Sequence, residues 1–525
     1  MTSAPFLAGD REPRSSAGRL RRLAGALGAR PLLVALSIIA VAVAIRAQGT
    51  VDADVAWQLW IGRQLNNGAH LYRDILETNP PLWFWMAMPV DWLSSLVHVR
   101  SDHLLIALVD CAAALSIVAT DRLIGVVAPQ RRALFLGYAA LTLVAMPWVE
   151  IGQREHLALI GAIPYAALVS ARRGARPVPV ALAIAIGLGS ALGFALKHYF
   201  LIVPVLLELW LVAGVGKKWR PLRPETLAIA SVGAVYAAAM LLAAQDYFTN
   251  VVPMLLLAYG ATGAKRLIDL FQPAVLTALA SILLLLVARR SVRTESSGIA
   301  GGLLVAAIGF TIVYFVQAKG WSYHAVPMLG CGALALAAVV IFGGNASRLI
   351  IFTAPALLLL PLWIAVQHGE RVPESTHDVA LAVTGMKPGE TVGLISADPS
   401  FGWPAVLDRG LRFPLRYNGF WMMQAVVSNE VHGGKRPRLT KLGHTIVQQT
   451  VADFECTPPR RILVARPSDA AARAGDFDIL AFFLRDPQFA RLLAHYRPVQ
   501  RTTVEVFEQV SALDRRADCP RWSPA

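Results

Sequence analysis

Residues 51–82 read VDADVAWQLWIGRQLNNGAHLYRDILETNPPL. The stretch carries Asp52, Asp54, Asp74 and Glu77, with apolar runs on both sides. Carboxylates beside a hydrocarbon layer are costly to keep, so by default they mark a functional site. The rest of the chain takes its meaning from where this stretch lies.

Of the 525 residues, 56% are hydrophobic and only 16% charged. Soluble chains average about 25% charged residues, so this composition points to an integral membrane protein. A net charge of +15 suggests nucleic acid at first sight. Its distribution argues against that, because the cations sit in short clusters between apolar runs, as the positive-inside rule describes.

About 20 apolar residues cross a bilayer. On that measure the sequence predicts eleven spans, near 31–47, 103–122, 133–149, 157–171, 178–196, 199–216, 226–244, 267–288, 299–316, 325–342 and 349–366. The Trp-rich segment 80–97, PPLWFWMAMPVDWLSSLV, opens with two prolines and contains Asp91. We read it as half-immersed at the interface rather than spanning. The first apolar run follows a tail bearing Arg11, Arg14, Arg19, Arg21, Arg22 and Arg30. A cleaved signal peptide is the alternative reading; further spans and a long basic tail favour an uncleaved first helix.

Lys and Arg set the orientation. With a cytoplasmic tail and 80–97 skipped, the inner side collects the tail, Arg122/Arg131/Arg132, Arg172/Arg173/Arg176, Lys217/Lys218/Arg220/Arg223, Arg289/Arg290/Arg293 and Arg348, twenty residues in all. The outer side up to residue 366 holds nine: Arg46, Arg63, Arg73, Arg100, Arg154, Lys197, Lys265, Arg266 and Lys319. Counting 80–97 as a span reverses the bias. The charge pattern therefore predicts a cytoplasmic tail (1–30), a membrane domain (31–366) whose outer loop covers 48–102, and an outer domain (367–525).

That last region has no spanning run. VGLISAD (392–398), RILVARP (461–467) and TVEVFEQ (503–509) predict strands. DFDILAFFLRDPQFARLLAHY (476–496) predicts one or two amphipathic helices broken near Pro487. FGWPAVLDRGLRFPLRYNGFW (401–421) is rich in aromatics and Arg and reads first as ordinary domain core. Of the four cysteines, Cys111 and Cys331 fall in apolar runs, whereas Cys456 and Cys519 are free to pair if the region is periplasmic. None has zinc-site spacing.

The unusual polar residues gather on the outer side. Asp54 is a candidate general base, since a carboxylate at a dry membrane edge can take a proton from an attacking hydroxyl. Asp52 has a simpler reading as an N-cap. The pair also has the Asp-x-Asp spacing that suits a divalent cation. Trp57, Trp60 and Ile61 recur at helical spacing, as in a helix lying in the interface. In GQREH (152–156), Arg154 suits phosphate oxygens, while Glu155 and His156 suit sugar hydroxyls; the plain alternative is a solvated loop with an internal ion pair. Lys197 and His198 either snorkel to headgroups or reach a lipid phosphate. Lys319, Tyr323 and His324 in QAKGWSYH are either an aromatic belt or a second cationic wall.

These residues resemble the first outer loop of the GT-C glycosyltransferases, in particular the protein O-mannosyltransferase and aminoarabinose-transferase (ArnT-like) branch. The matching elements are Asp54, then Gly68–Leu71–Tyr72–Asp74, then Asn79–Pro80–Pro81, with Glu155 in the later acidic loop. The resemblance covers roughly 30–366. It implies a polytopic α-helical membrane protein of GT-C type with about eleven transmembrane helices and a C-terminal periplasmic α/β domain, in a bacterial inner membrane. It implies an inverting transferase with a polyprenyl-phosphate-linked sugar donor and an envelope glycan, lipid or protein acceptor. Asp54 is then catalytic. Asp52, Tyr72, Asp74, Glu77, Asn79, Arg154, Glu155, His156, Lys197, His198, Lys319, Tyr323 and His324 form the substrate-binding set. No cofactor is required and a divalent cation is compatible. The branch often has Lys where Asn79 stands, so the phosphate-binding cation is expected from Lys197, Arg154 or Lys319. A polysaccharide polymerase or ligase, and a lipid-linked sugar flippase, are the other classes; a flippase typically shows internal repeats with broken helices, and none is evident here.

Overall fold

A computed structural model describes residues 30–47, 49–262, 266–294, 297–343, 348–369, 374–465, 477–501, 504–513, 516 and 519. Arg11, Arg14, Arg19, Arg21, Arg22, Lys265 and the tips of the 461–467, 476–496 and 503–509 stretches lie outside the described residues.

Each of the eleven apolar runs is helical. In chain order the helices are α1 (Pro31–Arg46), α2 (Ala53–Asn66), α3 (Leu82–Val97), α4 (Ser101–Asp121), α5 (Pro129–Val144), α6 (Arg154–Arg173), α7 (Val180–Ala195), α8 (Ile202–Val215), α9 (Pro224–Ala243), α10 (Val252–Thr262), α11 (Pro273–Val287), α12 (Arg289–Thr294), α13 (Ala300–Gln317), α14 (Val326–Phe342) and α15 (Arg348–Gly369). Among the described residues six helices are long and apolar enough to cross a membrane: Ser101–Asp121, His198–Lys218, Pro224–Ala243, Ala300–Gln317, Ser322–Phe342 and Arg348–Gln367. The expected half-immersed segment 80–97 is helix α3, which packs parallel to α2: Gln58 bonds the Trp83 carbonyl, Gly62 lies against Ala87, and Asn66 bonds Asp91.

Two helices form the centre. α6 is buried from Arg154 to Ala171, and α14 from Val326 to Val339. Small residues permit this, since without a driving force between apolar surfaces, helices in lipid associate through close backbone approach. At Gly193 of α7 a Cβ would meet the Leu157 carbonyl of α6 at 3.0 Å. α6 ends in Arg172 and Arg173, which complement the negative end of its dipole. The next turns tie down there through Glu225, which accepts from Arg172 at 3.0 Å and Arg223 at 2.9 Å. One pair was not foreseen. Arg46, expected in an outer loop, is buried and bonded to Asp110 of α4 at 3.0 Å.

Beyond α16 (Glu374–Ala382) the chain forms a four-stranded sheet in the order β1 (Val392–Ile395), β2 (Arg461–Ala465), β4 (Val504–Gln509), β3 (Tyr496–Arg501). β1 and β2 are parallel and the other pairs antiparallel. α17 (Ala405–Asp408), α18 (Met423–Val431) and α19 (Pro437–Cys456) make the β1–β2 crossover, and α20 (Ile479–Leu484) and α21 (Pro487–Leu493) follow β2. β3 was not anticipated, because Tyr496 was assigned to the preceding helix. Cys456 and Cys519 form a disulfide.

The segment 401–421 is not merely domain core. Its Trp403 and Phe413 rings meet Trp57 and Trp60 of α2 at centroid distances of 5.4–6.2 Å. The α2 face expected to lie in the membrane interface is therefore covered by the C-terminal domain. Leu76 N–H donates to the Arg416 carbonyl at 2.8 Å, and Arg100 bonds Asp408 at 2.5 Å. The C-terminal domain thus sits directly on the opening stretch.

Candidate active site

The opening stretch is held by its own side chains. Asp52 is the N-cap of α2 and accepts from the Asp54 N–H at 2.9 Å. Its other role is shared: the Gln153 side-chain amide donates to Asp52 at 2.7 Å and to Asp54 at 3.3 Å. Both carboxylates are partly exposed. Burial of the surroundings, then Asp54 and Glu150, push the Asp52 carboxyl up to about 7. Asp54 is also raised, chiefly by desolvation, although Arg154 opposes this. A base held above the ordinary carboxylate range is better matched to a neutral operating pH.

Glu77 is the hub of the second half of the loop. It accepts from Trp57 Nε1 at 2.6 Å, from the Thr78 N–H at 2.7 Å, and from the Asn79 N–H and side chain at 3.0 and 2.7 Å. The Tyr72 hydroxyl donates to the Asn79 carbonyl at 2.6 Å. Asp74 accepts from the His70 N–H at 2.8 Å. These four residues shape the loop; Tyr72 also packs on Tyr247 and its carbonyl accepts from Asn250 at 3.3 Å, and Glu77 is in electrostatic reach of Asp54 and Arg154. Asn79 is committed to Glu77, so the cation has to come from elsewhere.

The buried cations of the region lie on α6 and in the α7–α8 turn. Gly152, at φ +80°, lets the chain turn into α6, and Arg154 enters the interior with 2% exposure. Its guanidinium lies 4.6 Å over the Trp83 ring, a desolvated cation–π contact. Lys197 is 8% exposed and donates to Glu155 at 2.5 Å and to Gln317 at 3.2 Å; its Nζ also lies 3.2 Å from His324 Nε2. Burial lowers the Lys197 ammonium to about 8, against the pull of Glu155. Tyr323 is in electrostatic reach of Asp54, Arg154 and Glu155.

Two of the expected residues, His156 and His198, lie apart from this group. His156 is fully buried, with Nε2 2.8 Å from the Leu143 carbonyl and Nδ1 facing the Gly152 N–H. His198 is exposed and stacks on Tyr199. Lys319 borders the group: it lies 3.4 Å from the centre of the Tyr259 ring, which also meets Trp421 of the C-terminal domain, and it is in electrostatic reach of His324. Sequence reasoning passed over Gln153 and Glu150. The only available signal was their place beside Arg154 in EIGQREH, and Glu150 is bound to Ser322 at 2.6 Å.

Several buried polar atoms here have no hydrogen-bond partner among the described residues: Arg154 Nε and Nη1, Gln153 Oε1, Glu155 Oε2, the Tyr323 hydroxyl and His324 Nδ1. Buried polar groups are nearly always paired, so such a cluster is a candidate docking point for a polar ligand. Among the described residues no group of three or more His, Cys, Asp or Glu converges as a cation site. Asp52 and Asp54 offer two carboxylates, with the Gln153 amide already between them.

No protein-family model matches the sequence, and a comparison with curated proteins gives no match. Solved structures do match. ArnT from Cupriavidus metallidurans bound to undecaprenyl phosphate is 12% identical, covering 95% of this chain and 99% of that one with a TM-score of 0.54. The archaeal oligosaccharyltransferase AglB from Archaeoglobus fulgidus, in complex with an inhibitory peptide and a dolichol-phosphate, is 10% identical over 92% of this chain and 75% of that one, with a TM-score of 0.45. The arabinofuranosyltransferase AftD from Mycobacteria is 14% identical over 94% and 40%, with a TM-score of 0.42. The chain has the GT-C fold in an ArnT-like arrangement.

Proposed function

We propose that this chain is a membrane glycosyltransferase that moves a sugar from a polyprenyl-phosphate donor to an envelope glycan, lipid or protein at the outer face of a bacterial inner membrane. The observation that carries it is the juxtaposition of Asp54 with the buried cations Arg154 and Lys197 and their unpartnered neighbours. The acceptor O–H bond breaks and its proton passes to the Asp54 carboxylate. The freed oxygen bonds to the anomeric carbon from the face opposite the phosphate, inverting its configuration. The carbon–oxygen bond to phosphate breaks and leaves its electron pair on the phosphate, releasing polyprenyl phosphate. Arg154 and Lys197 offset that charge in a site with little water, where such donors count most. Glu155 holds Lys197 in place. Tyr323, His324 and Gln153 present groups for sugar hydroxyls. A divalent cation at Asp52 and Asp54 is compatible with this reading and no step depends on one.

The topology belongs to the same reading. Eleven spans with a cytoplasmic tail put Asp54, Arg154, Lys197 and Tyr323 on one outer side, and the distances between their loops suit that arrangement. The Cys456–Cys519 disulfide suits an oxidising compartment. The functional test is the release of free polyprenyl phosphate by purified protein in bilayer discs, given polyprenyl-phosphate sugars and an envelope extract. Release with at least one donor is expected. No release with any donor, while the lipid is translocated, would favour a flippase.

A further inference from the structure

The site is electrically two-sided. Arg154 and Lys197 form its floor and are buried. Asp52, Asp54 and Glu150 are all partly exposed and stand at its opening. Only neutral groups tie the three carboxylates: the Gln153 amide bridges Asp52 and Asp54 at 2.7 and 3.3 Å, and the Ser322 hydroxyl donates to Glu150 at 2.6 Å. Asp54 lies at the boundary, within the field of Arg154 and Lys197 on one side and beside Asp52 on the other.

From this geometry, and resting on the transferase reading above, we infer that the acceptor atom is the oxygen of an uncharged hydroxyl, and that the Asp52–Asp54–Glu150 wall rejects acceptors whose reacting group is a phosphate or carboxylate. An anionic nucleophile within reach of Asp54 sits against the Asp52–Asp54 pair, with Glu150 in electrostatic reach of Asp52; Arg154 and Lys197 act on Asp54 from the buried side and among the described residues neither is hydrogen-bonded to the pair. Like charges at such range in a partly desolvated site repel strongly, and specificity built on repulsion needs no new attractive contact. A hydroxyl meets the same wall favourably. It donates to Asp54 and gives up its proton there, and the unpartnered Gln153 Oε1 is available to a neighbouring hydroxyl. Asp52 and Glu150 are both held up to about 7 without substrate, chiefly by burial, with Asp54 and Glu150 adding to the rise at Asp52 and Glu155 to the rise at Glu150. Gln153 and Glu150 are on this account specificity-determining residues.

The linkage of the transferred sugar tests this directly. Envelope material from the source strain and from its deletion strain is compared by mass spectrometry, mild acid treatment and phosphorus-31 NMR. The expected result is one missing sugar bound through an ordinary glycosidic oxygen, stable to mild acid, with the phosphodiester signals of the two strains alike. A missing sugar released by mild acid together with loss of a phosphodiester signal overturns the inference and leaves the transferase reading intact. No missing sugar overturns both. A second arm uses purified Glu150→Gln: the acid limb of its pH–rate profile moves to lower pH with the donor KM unchanged. An unmoved limb shows that the wall does not act as one electrostatic unit and overturns the role given to Glu150.

Discussion

In the proposed transfer, Asp54 as base and Lys197 as cation carry opposite demands on pH. The base works ionised, and its pKa lies above the ordinary carboxylate range because of desolvation; activity therefore rises with pH on the acid side. The cation works protonated, and burial lowers Lys197 to about 8; activity falls as pH rises through that value. The kcat/KM profile, which reports the free enzyme, is expected to be a bell with its alkaline limb near 8, and the limb is expected to vanish in Lys197→Arg. A flat profile between pH 6 and 9 would contradict both assignments. Lys197→Ala is expected to lower kcat by about 10²–10³-fold, the usual loss of one charge-stabilising donor, with the donor KM affected more than the acceptor KM. Equal effects on the two KM values would make Lys197 structural. At this scale the sequence was half legible. Asp52 as a cap follows from local spacing. The burial of GQREH does not, because a polar run at a helix start looks the same whether it meets water or Lys197 and Trp83, and those partners lie some 40–70 residues away.

Among the elements, α2 links the proposed base to the C-terminal domain. Asp52 and Asp54 open the helix, and one turn later Trp57 and Trp60 stack on each other at 4.6 Å and receive Trp403 and Phe413. Truncating such an aromatic costs about 3–5 kcal/mol. Trp403→Ala is expected to lower the thermal midpoint and to reduce kcat without changing donor affinity, since α2 loses its outer support while Arg154 and Lys197 stay put. Reduced donor affinity with normal kcat would show that the contact serves another purpose. The strands β1, β2 and β4 were legible as short apolar or alternating runs between turn residues. β3, YRPVQR, was not: it contains Pro498, and its pairing with β4 slips there, as expected for a proline confined to an edge strand. The covering of Trp57 and Trp60 was equally hidden, because a helix face reads as apolar whether lipid or protein lies against it.

For the whole molecule, the eleven apolar runs gave the helical bundle, and the ArnT-like fold agrees with the resemblance in the first outer loop. What composition did not give was the docking of the C-terminal domain, which depends on contacts between residues 57–100 and 403–416, far apart in the chain. Two expectations belong at this scale. Paired Cys456→Ser and Cys519→Ser substitutions are expected to destabilise the C-terminal domain by about 2–5 kcal/mol, measured by thermal unfolding under oxidising conditions; an unchanged midpoint would mean that the bond is not formed in the native protein. The central claim is that Asp54 takes the acceptor proton in a lipid-phosphate-dependent transfer. Its most direct test is the single-turnover transfer rate of Asp54→Asn beside the natural protein, both reconstituted in bilayers with the same polyprenyl-phosphate sugar. A rate lower by about 10²–10⁴-fold, with donor binding retained, is the predicted result; transfer by Asp54→Asn at the natural rate would contradict the account.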